Sequence, residues 1–153
     1  MKEVQIVMMN KQRLSRILNA CSLSLLKEIT EQLEQTLCLQ VERFPQTSLV
    51  MMKARDSVSD QPFYVGEVLV TECTVSFNQK FGIGLVVGEA PQRAYCMAAV
   101  DAAINAGFPI LEQWRERLEA AEGAIIAERN AECARSAESQ VHFDTMGAYN
   151  DRH

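Results

Sequence analysis

The chain has 153 residues, of which 48% are apolar and 23% charged, and a formal net charge of -5. This is the composition of an ordinary globular domain with room for a core. The acidic balance and scattered Lys and Arg argue against a non-specific nucleic-acid binder or a protein held to anionic membranes.

No apolar run is long enough to span a bilayer. The opening MKEVQIVMMNKQR lacks the features of a signal peptide, so a cytoplasmic location is expected. The five cysteines (Cys21, Cys38, Cys73, Cys96 and Cys133) are odd in number and widely spaced. They read as reduced thiols rather than a disulfide framework. The only histidines, His142 and His153, lie near the C-terminus, so no metal site is expected.

Residues 10–20 place Leu14, Ile17 and Leu18 at helical spacing. Ser22 or Ser24 can cap a second helix, on which Leu26, Ile29 and Leu33 form a stripe. Lys27, Glu28, Glu31 and Glu34 face away from it. Together the two helices predict an αα-hairpin. The pattern then turns to strand. In CLQVERF, Leu39, Val41 and Arg43 alternate with Gln40 and Glu42. Pro45–Ser48 is expected to turn, and LVMMKAR to return as a second strand before the polar loop DSVSDQP.

Pro62–Phe77 carries the strongest strand signal, with Val65, Val68, Val70, Thr71, Thr74 and Val75. A straight strand of that length would reach roughly 50 Å, so a bend or bulge is expected at Gly66. Asn78–Lys80 reads as a hairpin turn and FGIGLVVG as the fourth strand of an antiparallel meander. Pro91 opens a helix running to about Ala106, stopped by Gly107 and Pro109. Met97, Val100 and Ile104 ridge one side of it, and its many alanines suit close packing.

The last helix is long. Leu111, Trp114, Leu118, Ala121 and Ile125 follow three-and-four spacing. Beyond Ala127 the large apolar residues run out, so this part projects or lies on a partner. The expected architecture is α+β: two N-terminal helices, a four-stranded antiparallel sheet and two C-terminal helices. Residues 1–153 read as one domain, with about 140–153 as a partner-docking extension.

No catalytic set emerges. Gly82, Gly84 and Gly88 miss the spacing of a dinucleotide loop and read as hairpin glycines that permit a tight turn and a twisted strand. Glu67 and Glu72 are five apart, an odd offset that places them on opposite faces. They do not form a glycosidase-like pair. Asp101 stands in an alanine-rich helix, either exposed or bonded to backbone or a partner group.

The ordered run Phe63, Gly66, Glu67, Leu69, Thr71, Glu72, Val75, Gly82, Gly88, Ala94, Ala98, Asp101 and Ala102 resembles the PhnG family. This is the small G subunit of the bacterial carbon–phosphorus lyase system. The tail Val141, Phe143, Thr145 and Met146 is similar to that family's closing Val-x-Phe-x-Thr-Met. Asp144 stands where an apolar residue is usual. The resemblance implies an accessory subunit that works with the H, I and J subunits and, functionally, the L protein. That system transfers an alkylphosphonate to the ribose C1 of ATP with loss of adenine, and the catalytic work is usually placed on the I subunit.

The resemblance thus makes ATP a substrate of the complex, not a cofactor of this chain. Gly66, Glu67, Thr71, Glu72, Gly82, Gly88, Asp101, Phe143, Thr145 and Met146 become structural or interface candidates, with no catalytic residue and no metal ligand. Self-association is expected when the chain is isolated. The alternatives are a nucleotide-binding module using Gly82–Pro91 and a stand-alone enzyme using Glu67 or Glu72 as general base.

Overall fold

The computed structural model describes residues 9–141. The elements are α1 (Lys11–Ala20), α2 (Leu23–Thr36), β1 (Gln40–Arg55), β2 (Pro62–Phe77), β3 (Lys80–Val87), α3 (Pro91–Asn105) and α4 (Ile110–Glu138). Asn10 caps α1 by accepting the Gln12 N–H at 3.2 Å. Of the two serines that could cap α2, Ser22 does so, accepting the Leu25 N–H at 3.3 Å.

The sheet has three antiparallel strands in the order β1-β2-β3, not the four expected. The residues Pro45–Ser48 do not turn; the chain runs through them as one long strand. Two physical facts permit this. β1 is an edge strand, where a proline's missing N–H costs no ladder bond. The register with β2 also shifts between Val41 and Arg43 and between Arg43 and Gln46, so bulges absorb the irregularity at Phe44 and Pro45. A third shift, between Met52 and Lys53, leaves Val65 as an extra residue beside Gly66.

The strand that seemed too long for a small domain is accommodated by letting it leave the domain. β3 pairs only with Val70–Phe77. The far half of the β1–β2 ladder therefore continues as a two-stranded arm, whose Leu49, Met51, Phe63, Tyr64 and Val65 are all exposed. The β2–β3 connection is the two-residue turn Asn78–Gln79, with φ of 48° and 61°, values typical of the mirror-image turns that match strand twist.

The helices cover one face of the sheet, with α3 innermost. Ala94, Cys96, Met97, Ala98, Ala99, Val100, Ala102 and Ala103 are all buried, so α3 is enclosed on nearly every side. Leu14, Ile17 and Leu18 of α1, Leu26, Ile29 and Leu33 of α2, and Trp114 and Leu118 of α4 belong to the same core. Side chains tie these helices together. Arg13 reaches Glu122 at 2.9 Å, Arg117 reaches Glu28 at 2.7 Å, and Tyr95 donates to Glu34 at 2.7 Å. Every residue from Ile126 to Val141 is exposed, so about 20 Å of α4 stands clear of the core.

Candidate functional site

The signature residues of Pro62–Asp101 gather at three places. The first is the contact between β3 and α3. A side chain added at Gly82 would meet the Ala102 nitrogen at 2.1 Å and the Ala98 oxygen at 2.2 Å. At Gly84 it would meet the Ala94 oxygen at 1.8 Å. These glycines are therefore not turn residues. They let the alanine face of α3 lie directly on the strand backbone. The turn itself is made by Asn78 and Gln79.

Asp101 belongs to the same contact. Its carboxylate accepts the Ile83 N–H at 3.1 Å and the Lys11 ammonium at 3.2 Å. One turn on, Asn105 donates to the Phe81 carbonyl at 2.7 Å and also bonds Lys11. The free edge of β3 is thus met by helix side chains that take its outward donor and acceptor. Of the two readings of Asp101, the structure has it bonded to backbone, with a third of the side chain still exposed.

The second place is the entry to α3. Thr71 donates to the Gly88 carbonyl at 2.6 Å and accepts the Ala90 N–H at 3.0 Å. The Gly88 N–H goes to the Leu69 carbonyl at 2.8 Å, and Gly88 has φ of +86°, which a side chain would disfavour. Within Gly82–Pro91, the segment of the nucleotide-binding alternative, the Gly88 and Ala90 N–H groups are committed to β2, and the segment has no lysine.

The third place is the open face of the sheet and the arm. Glu72 accepts from Gln46 at 3.0 Å and Arg43 at 3.1 Å. These bonds, Gln46 first, hold its carboxyl below the ordinary value of 4.5. A carboxylate so stabilised is a poor general base. Glu67 is exposed on the arm, opposite Met51. No register shift falls between Glu67 and Glu72 in the ladder with β1, so the odd offset does put them on opposite faces. Gly66 has open space around it. Phe143, Thr145 and Met146 lie outside the described residues.

The family model for phosphonate metabolism protein PhnG matches residues 9–147. The chain belongs to the PhnG family. The match covers the whole described structure, so the three junctions above lie within the matched region. No curated protein matches the chain.

Sequence reasoning missed the apolar character of the open sheet face. Phe81, Ile83, Leu85 and Val87 alternate along β3 with Gly82, Gly84 and Val86. The first set is 59, 63, 49 and 74% exposed, respectively. A signal was present: a strand that is apolar at successive positions is usually covered on both faces, and here the helices cover one. Among the described residues no group of His, Cys, Asp and Glu is arranged to hold a metal ion, and no helix is long and apolar enough to cross a membrane.

Proposed function

We propose that this protein is a non-catalytic subunit of the phosphonate-degradation complex that joins an alkylphosphonate, such as methylphosphonate, to the ribose C1 of ATP. Adenine leaves and a ribose 1-phosphonate 5-triphosphate forms. Membership of the PhnG family supports the pathway. The observation that carries the subunit role is the uncovered apolar face of β3, formed by Phe81, Ile83, Leu85 and Val87. Exposed apolar patches of this kind mark interaction surfaces, and of the three signature acids Glu72 and Asp101 are engaged in holding the fold.

The partner on that face is a larger subunit of the same system, the I subunit first among them. ATP is then a substrate of the assembled complex. The test is reconstitution: adenine release from ATP plus methylphosphonate, with and without this chain. Full activity is expected with the native chain. The double substitution Ile83→Lys and Leu85→Lys should abolish co-purification while leaving the circular dichroism spectrum intact. Undiminished turnover without the chain, or turnover by the chain alone, would sink the proposal.

A further inference from the structure

We infer that the β1 edge from Gln46 to Met52 is a self-association surface, on which the same strand of a second copy pairs antiparallel about a two-fold axis close to Leu49. The two outer edges of the sheet are treated differently. On β3, the outward Ile83 N–H and Phe81 carbonyl are taken by Asp101 and Asn105. On β1, the N-terminal part is broken by the register shifts around Glu42, Phe44 and Pro45, and the C-terminal part ends in Lys53 and Arg55. Capping, bulges, proline and terminal cations are all devices that keep sheet edges from pairing.

Between those protected ends, Gln46–Met52 holds an unbroken register with Glu72–Gly66. It contains no charge, proline or glycine. Leu49, Val50, Met51 and Met52 are 60, 46, 56 and 47% exposed. A regular strand with bare backbone groups on one side and apolar side chains on both faces fits another strand.

A second copy fits it best because the segment is complementary to itself. Its midpoint is Leu49. Pairing about that point sets Ser48 opposite Val50, Thr47 opposite Met51 and Gln46 opposite Met52. No charge meets its own kind, and without a bulge the opposed residues share a face. Of the flanking cations, Arg43 is matched by Glu72 at 3.1 Å and Arg55 by Asp60 at 3.4 Å. The product joins two three-stranded sheets into one continuous sheet and leaves the β3 face free for a different partner. A seven-residue edge of this kind buries on the order of 1,000 Å² in total, which fits a reversible dimer in the micromolar range.

The test is sedimentation of the full chain over a micromolar range, together with site-specific cross-linking. In a background of Cys38→Ser and Cys133→Ser, Leu49→Cys should form a disulfide dimer on mild oxidation, because residues facing each other across an antiparallel pair lie within bridging distance. Ile83→Cys on the capped edge should not. Val50→Lys should shift the chain to monomer with an unchanged circular dichroism spectrum. A monomer at all concentrations, or cross-linking at Ile83 as readily as at Leu49, would overturn the inference. So would protection of the 46–52 amides that arises only when another subunit is added, since the occupant would then be that subunit's strand.

Discussion

The Asp101 carboxylate on α3 accepts the backbone N–H of Ile83 on β3 at 3.1 Å, so a helix side chain closes a strand edge. Its second oxygen holds Lys11 of α1 at 3.2 Å. One acid therefore joins three elements. Asp101→Ala removes the acceptor from both donors, and a lost bond of this kind costs about 1–2 kcal/mol. The residual cost should be smaller for Asp101→Asn, which keeps an acceptor for Ile83. Urea denaturation measures both. Hydrogen exchange at the Ile83 amide should quicken in the alanine variant, and sedimentation should show more association through the uncapped edge. Equal stability of the alanine variant and the native chain would reduce Asp101 to a surface acid.

Gly82 and Gly84 set how closely α3 approaches the sheet. Alanine at either would drive a methyl group into helix backbone, at 2.1 Å from the Ala102 nitrogen or 1.8 Å from the Ala94 oxygen. Backbone cannot swing aside as a side-chain end can, so α3 must lift from β3. The expected loss is about 3 kcal/mol or failure to fold. Gly66→Ala is the matched control. Nothing lies within 4 Å of the added methyl group, and the unfolded chain loses freedom, so a gain of about 0.5 kcal/mol is expected. In thermal melts, Gly66→Ala should lie at or above the native chain and the other two well below it.

Much of this arrangement was legible in the sequence, and the misses have physical causes. The apolar stripes of α1 and α2 and the alanines of α3 name the core because helix periodicity is a local property. The odd offset of Glu67 and Glu72 holds because no bulge lies between them. Pro45 misled because a proline reads alike in a turn and in an edge strand. Which of the two it occupies depends on β2, a partner distant in sequence. Gly82 and Gly84 read locally as turn formers for the same reason: their true constraint is α3, which follows later in the chain. Asp101 could be seen as unusual, but its partner Ile83 could not be named without the packing of α3 on β3.

The cysteines divide by burial. Cys21, Cys73 and Cys96 are buried, whereas Cys38 and Cys133 are exposed. Burial also raises the thiol pKa of each of the three, suppressing the reactive thiolate. Two thiols should react quickly with a chromogenic disulfide reagent at pH 8 in the native chain, and the other three only on addition of denaturant. Rapid modification of Cys73 would mean that α3 opens readily from the sheet, because that side chain lies beneath it.

Acid should loosen the attachment of α4 to α1. The Glu122 carboxyl is held below its ordinary value of 4.5 by hydrogen bonds from Arg13, with the charge of that guanidinium adding to the effect. A carboxylate with a lowered value binds a proton less readily folded than unfolded. Its contribution is therefore complete above the unfolded value and is lost as pH falls through the folded one. Glu72, lowered by Gln46 and Arg43, adds to the same acid limb from the sheet. Thermal stability should hold steady from pH 7 to about 5 and decline below about 4.5. Glu122→Gln should be less stable than the native chain at pH 7, with the gap closing as the pH falls. The fluorescence of Trp114, buried on α4 with Arg117 stacked 4.8 Å from its ring centre, reports this part of the helix. In the native chain it should shift during the decline. A gap between the native chain and the Glu122→Gln variant that stayed constant from pH 7 to pH 3 would show that Arg13 and Glu122 do not couple α1 to α4.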